Sequence, residues 1–456
     1  MAQKPNTPKG TRDFNPIQVA QRDYIINTIR NVFEVFGFQP IETPSFENLS
    51  TLMGKYGEEG DRLVFKILNS GDYLSKVKDE TYQKKETNLL TPNISEKGLR
   101  YDLTVPFARY VVQHQNTINF PFKRYQIQPV WRADRPQKGR FREFHQCDAD
   151  VVGSKSLWQE VECIQMYDTV FGVLKLSDIE IKINHRKILS GIVEVIGVSD
   201  KLIDFTVALD KLDKIGEDKV KEEMIARGIP ESAIHHVSPL FQLSGSFETQ
   251  IQILKDVLET SETGKQGIEE LLFINQMTSQ LGLSASILKL DVTLARGLDY
   301  YTGAIFEVAA PKEIKLGSIG GGGRYDNLTH NFGLKDVSGI GISFGLDRIY
   351  LVLEALDIFP DTLRQDVKIL FVNLGKEEAL FSLKAIKRLR EQGVHCELYP
   401  DALKMKKQMQ YANKRQIPYV IIVGEEEIQN NVYTLKDMRE GKQYKLSLDD
   451  IFSKIN

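Results

Sequence analysis

A short stretch in the first third of the chain concentrates charged groups that could bind a nucleotide. Residues 132–150 are RADRPQKGRFREFHQCDAD, in which five cations within eleven residues are followed by three carboxylates. Arg132 comes directly after the largely apolar YQIQPVW, where a charge needs a partner. A planar guanidinium can bind two phosphate oxygens at once, and an aromatic ring such as Phe144 can stack on a base. A carboxylate of the same stretch could bind a cationic group. The stretch could therefore bind a nucleotide together with an amino compound. The competing interpretation is a charged, solvated hairpin.

Three later stretches carry residues of the same kind. In LARGLDYYTGAIFE, Arg296 stands between apolar positions and precedes Tyr300 and Tyr301; alone, this pattern is equally typical of a buried salt bridge with tyrosines in the core. The glycines of GGGGRYDNL favour close approach of backbone or ligand. In GISFGLDRIYLVLE, Arg348 lies one turn into a helix that follows a glycine-rich strand, so it can point into a cleft, although a lone arginine is more often a surface residue.

Other catalytic chemistries lack their motifs. The glycine run is not followed by the G-x-x-x-x-G-K-[ST] pattern of a phosphate loop. The seven histidines include no H-x-x-H or H-E-x-x-H spacing, and no G-x-S-x-G nucleophile elbow is present. We therefore predict neither a protein-held metal nor a serine nucleophile.

The first element that must position these residues is a helix near the start. Asn15 is a suitable N-cap, Pro16 suits the first helical position, and apolar residues then recur at intervals of three and four until Gly37. The following FQPIETPSFE predicts extended chain, which Pro40 and Pro44 confine to a sheet edge or an interface.

Along the rest of the chain, the pattern of apolar and charged residues changes several times. Residues 69–98 lose apolar periodicity, which predicts a long mobile loop or hairpin. A helix is predicted after Ser156, capped in a box with Gln159. Charged amphipathic helices predict a helical insertion at 200–288, set into a core made of 1–199 and 289–356.

The C-terminal part has its own pattern. A proline and scattered polar residues predict a linker at 357–366. In 367–456, strands alternate with helices, which predicts a small α/β domain with an open, partly parallel sheet.

Composition limits the class of protein. A chain of 456 residues with a net charge of −3 cannot coat nucleic acid by bulk charge, although a local patch can still meet it. Three scattered cysteines, no apolar leader at the N-terminus and no long apolar run predict a cytoplasmic protein without a membrane span.

Taken together, the segments resemble one enzyme family over essentially the whole chain. Three resemble the motifs of class II aminoacyl-tRNA synthetases: GFQPIETPSFE the looser motif 1, VWRADRP with REF motif 2, and GISFGLDRI motif 3. Four more resemble segments of the histidyl-tRNA synthetase family: LARGLDYYTGAIFE, GGGGRYDNL, PKGTRDFNP and LRYDLTVPFARY. The resemblance implies an α+β catalytic core, an antiparallel sheet with flanking helices, carrying a helical insertion and followed by a C-terminal α/β anticodon-binding domain.

The resemblance also implies a reaction and an ATP site. Histidine would attack the α-phosphate of ATP, and the histidyl group would then pass to the 3′ end of histidine tRNA. Arg132 would hold the α-phosphate, with Arg296 as the added cation and electrophilic catalyst. Arg348 would contact the γ-phosphate and stack on adenine opposite Phe144, with Asp134 in the same site. Magnesium bridging the triphosphate is expected with these arginines.

The same resemblance assigns the amino-acid site and the partners. The α-amino group would be held by Asp102, Thr104 and Gln146, and the ring by Asp150 and Tyr301 with Tyr300 alongside. Motif 1 implies a homodimer. Three positions, Asp134, Asp150 and Asp347, carry aspartate where relatives often have glutamate, which shortens each side chain by one methylene.

Two other classes of protein stay open at this point. A silent paralogue, such as the regulatory subunit of ATP phosphoribosyltransferase, should lack the C-terminal domain and lose signature residues, whereas LARGLDYYTG and residues 366–456 are present here. A module that binds nucleic acid without catalysis would keep the basic segment around 404–415 but would not need a histidine pocket.

Overall fold

The computed structural model of the chain describes residues 4–295, 300–363 and 367–455, apart from the side chains of residues 57–59 and 213. Two units can be separated, Met1–Phe359 and Pro360–Asn456. Each is described by itself below.

The first unit begins with elements that alternate between short strands and helices. They are α1 (Pro16–Val35), β1 (Gln39–Pro40), β2 (Phe46–Asn48), α2 (Leu49–Leu52), α3 (Gly57–Leu63), β3 (Lys66–Ile67), α4 (Asp79–Lys84), α5 (Thr87–Ile94), β4 (Lys97–Leu99), α6 (Thr104–His114), β5 (Phe122–Trp131), β6 (Glu143–Val152), α7 (Trp158–Val173) and β7 (Ile179–His185). A helical part follows: α8 (Arg186–Val195), α9 (Leu202–Leu209), α10 (Leu212–Ile215), α11 (Glu217–Ala226), α12 (Glu231–His236), α13 (Phe247–Val257) and α14 (Glu262–Leu281). The unit then returns to strands and ends in a helix: β8 (Ser286–Leu290), β9 (Ala304–Val308), β10 (Gly320–Tyr325), β11 (Gly339–Gly345) and α15 (Leu346–Ala355).

An eight-stranded sheet forms the centre of this unit. Its order is β1-β5-β6-β11-β10-β9-β7-β8, and every pair from β5 to β7 is antiparallel. The two edge pairs, β1 with β5 and β7 with β8, are parallel. The predicted α+β core with an antiparallel sheet is confirmed, with a parallel strand added at each edge. Pro40 lies in edge strand β1, where its missing N–H leaves no central ladder position unpaired.

Helix α1 forms as its sequence predicts. The side chain of Asn15 accepts a hydrogen bond from the backbone of Gln18, and the side chain of Gln18 accepts one from the backbone of Asn15, which completes a capping box. Ile25, Ile29 and Phe33 are fully buried on one face, and the chain turns away at Gly37 with φ of +82°. The helix therefore lies along the sheet with a fixed start and end.

The helices of 200–288 share their core with the sheet. Phe205, Leu254 and Leu271 are buried in the same hydrophobic cluster as Ile183 of β7 and Ile29 of α1. The helical segment is therefore held to the sheet by apolar packing, not by a hinge alone. Among the helices of the described residues, none combines the length and the apolar character needed to cross a membrane.

Two local expectations differ from the structure. The segment 69–98 connects the antiparallel strands β3 and β4, as a hairpin would, but it contains helices α4 and α5 instead of irregular loop. Helix α7 begins at Trp158, after an N-cap at Leu157 without a side-chain hydrogen bond, so the predicted capping box at Ser156 is wrong.

The second unit is a small α/β fold. Its elements are β12 (Ile369–Phe371), α16 (Lys376–Glu391), β13 (Cys396–Leu398), α17 (Met405–Lys414), β14 (Tyr419–Ile422), α18 (Glu425–Asn430), β15 (Tyr433–Asp437), β16 (Gln443–Leu446) and α19 (Leu448–Ile455). The sheet order is β13-β12-β14-β15-β16, parallel among the first three strands and antiparallel beyond them. Apolar clusters cover both faces, as expected for an open, partly parallel sheet.

Candidate active site

The hairpin of β5 and β6 carries the charged stretch from which the sequence analysis began. Because side chains alternate along a strand, Phe144, Gln146, Asp148 and Asp150 share one face of β6. Arg132 follows the last residue of β5, and its backbone N–H donates to the carbonyl of Arg142 at 2.9 Å across the hairpin. The hairpin thus places Arg132 beside the aromatic and polar face of β6.

The guanidinium of Arg132 lies between two rings. Its central carbon is 4.3 Å from the ring centre of Tyr101 and 5.1 Å from that of Phe144. Its Nε donates to the carbonyl of Tyr101 at 3.1 Å and an Nη donates to the side chain of Gln146 at 3.4 Å. These neutral contacts orient the cation, and no carboxylate among the described residues forms an ion pair with it.

A cavity of about 350 Å³ opens in front of this hairpin. Four residues of the predicted ATP set line it: Arg132, Asp134, Phe144 and Arg348. Backbone at Gly320–Gly322 forms another part of its wall. A Cβ on Gly322 would lie 2.2 Å from the carbonyl oxygen of Gly341, so this part of the glycine run allows two strands to approach closely.

Arg348 fastens one side of this cavity. It stands in the first turn of α15, where its Nε donates to the carbonyl of Gly139 at 2.9 Å and an Nη donates to that of Ser318 at 2.6 Å. The first contact ties the tip of the β5–β6 hairpin to α15. Burial lowers the pKa of Arg348, and the nearby cations Arg140 and Arg132 lower it further. A polyanion in the cavity would relieve this repulsion.

A second, smaller chamber of about 50 Å³ adjoins the first. It is lined by all six residues of the predicted amino-acid site: Asp102, Thr104, Gln146, Asp150, Tyr300 and Tyr301. The two cavities share wall residues, namely Gln146, Tyr301, Gly321, Gly322 and Ser343. The chamber therefore lies directly next to the larger cavity.

The carboxylates of the chamber are held in different ways. Asp102 precedes α6 and accepts hydrogen bonds from the hydroxyl of Tyr56 at 3.0 Å and the backbone N–H of Val105 at 3.1 Å. Asp150 forms an ion pair with Arg124 at 2.7 Å and accepts from the hydroxyl of Tyr325 at 2.7 Å. Burial raises the pKa of both carboxyl groups, against the opposing effect of these partners.

The structure also brings in residues to which the sequence analysis gave no role. Asp148 lines the chamber, is 2% exposed and receives the amide N–H of Gln146 at 3.3 Å. Burial raises the pKa of Asp148 to about 7; Arg124 opposes this rise and the nearby Asp150 adds to it. The signal was the alternation of Gln146, Asp148 and Asp150 on one strand face, which makes all three neighbours.

A further carboxylate fixes the wall behind Arg348. Asp347 accepts hydrogen bonds from the guanidinium groups of Arg12 and Arg22 and from the backbone N–H of His145, the last at 3.2 Å. The guanidinium carbon of Arg12 lies 3.3 Å from the ring centre of Phe141, which also lines the larger cavity. The N-terminal segment thereby joins the hairpin to α15.

Of the predicted site residues, Arg296 lies outside the described part of the chain. All others line one of the two joined cavities, with Gln146 and Tyr301 in both. An antiparallel sheet with an arginine-lined cavity next to a small acidic chamber is the arrangement that the resemblance to class II synthetases predicts.

Comparison with known proteins gives the family. The family model described as histidyl-tRNA synthetase matches residues 10–349, and the one described as anticodon binding domain matches residues 367–456. Curated proteins named histidine–tRNA ligase are similar throughout: that of Christiangramia forsetii is 66% identical and that of Flavobacterium johnsoniae 63% identical, each alignment covering 99% of both chains. The crystal structure of histidyl-tRNA synthetase from Nostoc sp. PCC 7120 superposes with a TM-score of 0.80 at 30% identity, covering 100% of this chain and 99% of that one. The chain belongs to the histidyl-tRNA synthetase family.

Proposed function

We propose that this chain ligates histidine to tRNA in two steps. The carboxylate of histidine attacks the α-phosphate of ATP to give histidyl-adenylate and pyrophosphate, and the histidyl group then passes to the 3′ end of histidine tRNA. The observation that carries the proposal is the junction of the two cavities at Gln146 and Tyr301. An amino acid seated in the acidic chamber can present its carboxylate to a nucleotide in the arginine-lined cavity.

The arginines place positive charge beside the phosphate oxygens, on which negative charge develops during the reaction. Arg132 holds the α-phosphate, while Arg348 contacts the γ-phosphate and stacks on adenine opposite Phe144. Arg296 adds the further cation at the α-phosphate, and Asp134 belongs to the same ATP site. Phosphoryl transfer needs positioning and stabilisation of charge more than covalent help, and cations preorganised in a cleft supply both.

ATP reacts in such enzymes as its magnesium complex. Mg²⁺ is usually held by one or two carboxylates together with phosphate oxygens and water. Asp134 and Glu307 are carboxylates in the lining of the larger cavity, and this donor set fits an ion that arrives on the phosphates. Within the described residues, no cluster of three or more His, Cys, Asp or Glu side chains could hold a metal by itself. When bound, the ion neutralises part of the charge of the triphosphate.

The chamber recognises histidine by complementary polarity. Asp102, Thr104 and Gln146 bind the α-amino group, and Asp150, Tyr301 and Tyr300 surround the ring. Polar side chains buried here need partners, so an amino acid without matching polar atoms is rejected, by about 10⁴–10⁵ in the strongest cases of this kind.

Assembly and location follow from the same assignment. The residues that match an anticodon-binding model, 367–456, meet the tRNA, with the lysines of α17 facing its phosphates. Two copies form a homodimer through the motif 1 segment, whose strand β1 lies at the sheet edge. The enzyme works in the cytoplasm, consistent with cysteines that are all unpaired in the described chain.

Histidine-dependent exchange of labelled pyrophosphate into ATP tests the proposal. Purified protein should exchange with histidine and not with the other amino acids, without added tRNA. Exchange with a different amino acid would contradict the substrate, and absence of exchange would favour a silent paralogue. Charging of histidine tRNA, measured with the same preparation, tests the second step.

A further inference from the structure

We propose that Asp148 is a specificity-determining residue whose carboxylate accepts a hydrogen bond from the ring N–H of the bound amino acid. The inference rests on the proposed function and adds a residue to the ring end of the histidine site. It assigns a role to a buried carboxylate that the motif resemblance leaves without one.

The first argument is that Asp148 forms no ion pair in the part of the chain that the structure describes, although Arg124, which is paired with Asp150, still lowers its pKa. It is 2% exposed, and its oxygens receive the side-chain amide of Gln146 at 3.3 and 3.4 Å. Its neighbour Asp150, by contrast, forms an ion pair with Arg124 at 2.7 Å and accepts a hydrogen bond from the hydroxyl of Tyr325 at 2.7 Å. A buried carboxylate without an ion pair is costly unless a ligand supplies a donor.

The second argument is the direction in which the substrate must lie. Along the face of β6 that borders the cavities, Phe144 lines the larger cavity only, Gln146 lines both cavities, and Asp148 and Asp150 line the chamber only. The substrate carboxylate has to reach the nucleotide in the larger cavity. The side chain therefore extends past Gln146 into the part of the chamber that Asp148 and Asp150 line.

The third argument is the supply of acceptors for the two nitrogenous groups of the substrate. Asp102 stands outside β6, just before α6, and is the carboxylate proposed for the α-ammonium group. The ring offers an N–H at the opposite end, where Tyr301 provides a hydroxyl and Asp148 provides a carboxylate that forms no ion pair within the described residues. Burial raises the pKa of Asp148 to about 7. A hydrogen-bond donor on the ligand would stabilise the ionised form of this carboxyl group and lower that pKa.

The test compares two ligands on two variants. Dissociation constants of L-histidine and of 3-(imidazol-4-yl)propionate, which has the ring but no amino group, are measured for the wild-type chain, Asp148→Asn and Asp102→Asn. The Asp148→Asn change should weaken both ligands by the same factor, about 10-fold or more, because both present the ring. Asp102→Asn should weaken histidine and leave the propionate within about twofold.

Each other outcome overturns the assignment. If Asp148→Asn weakens histidine but not the propionate, Asp148 binds the amino group; if it weakens neither, the residue is structural. ATP affinity and the melting temperature serve as folding controls, and Asp148→Ser replaces a variant that does not fold. Failure of the wild-type chain to bind histidine would instead reject the proposed function, so the two failures are distinguishable.

Discussion

The wall around Asp347 and the chamber around Asp148 both bury a carboxylate, but the hydrogen-bond donors of the two carboxylates differ in charge. Asp347 receives two guanidinium groups, from Arg12 and Arg22, and a backbone N–H. Asp148 receives only weak neutral donors from the described residues. The first carboxylate is ion-paired within the protein, whereas the second forms no ion pair with the described residues.

The same contrast separates the cations. Arg124 lies fully buried against Asp150, and Arg324 is buried with Glu160, 2.7 Å from one of its oxygens. Arg132, by comparison, has neutral acceptors. Among the described residues, it donates hydrogen bonds to a backbone carbonyl and to a side-chain amide. Arg124 and Arg324 hold elements together through their ion pairs, whereas Arg132, with neutral partners, lines the larger cavity. The predictions below test that division.

The largest effect is expected for Arg124→Met. Removing one member of a fully buried ion pair leaves Asp150 uncompensated, so the free energy of unfolding should fall by about 3–5 kcal/mol. Chemical denaturation monitored by fluorescence measures the loss. The matched control is Arg388→Ala, whose pair with Asp449 is exposed on the surface and should contribute nothing measurable. Equal losses for both variants would remove the distinction between paired and surface charges.

Arg132→Ala should do the reverse, sparing stability and removing catalysis. Losing one cation aimed at transition-state charge lowers the rate of such reactions by about 10²–10³-fold. Pyrophosphate exchange at saturating histidine and ATP measures the effect, and the melting temperature should stay near that of the wild type. Lys138→Ala, on the exposed part of the same hairpin, is the control for a general loss of positive charge. Slow exchange in both variants would mean that the overall positive charge of the hairpin, and not Arg132 in particular, is needed for the rate.

Parts of this division could be predicted from the sequence because they are local. Asn15 and Pro16 mark the start of α1, and strand alternation places Phe144 and Gln146 on one face. Asp148 belongs to the same alternation and was left without a role because no motif assigns one. Helices α4 and α5 were missed because they bury no side chain, so they leave no apolar period in the sequence.

Other parts depend on contacts that no local pattern contains. Arg124 meets Asp150 because the register of β5 on β6 pairs those two positions, and this register follows only from where the hairpin turns. Arg12 and Asp347 are 335 positions apart in the chain. Motif resemblance named residues that line the two cavities, whereas the paired charges that support them required the fold.

The smallest effect is expected for Arg12→Ala, which removes one of the two guanidinium groups on Asp347. Arg12 does not line either cavity, so it is a positioning residue that holds Phe141 and the start of α15 in place. Because Arg22 still pairs with Asp347, the KM for ATP should rise by only about 5–10-fold, with the KM for histidine unchanged. Arg12→Lys should recover part of the loss, since it keeps the charge but not the planar group over Phe141. Steady-state exchange kinetics separate the two KM values. An equal rise in both would mean that Arg12 supports the whole sheet, and the wall around Asp347 would then no longer be specific to the nucleotide cavity.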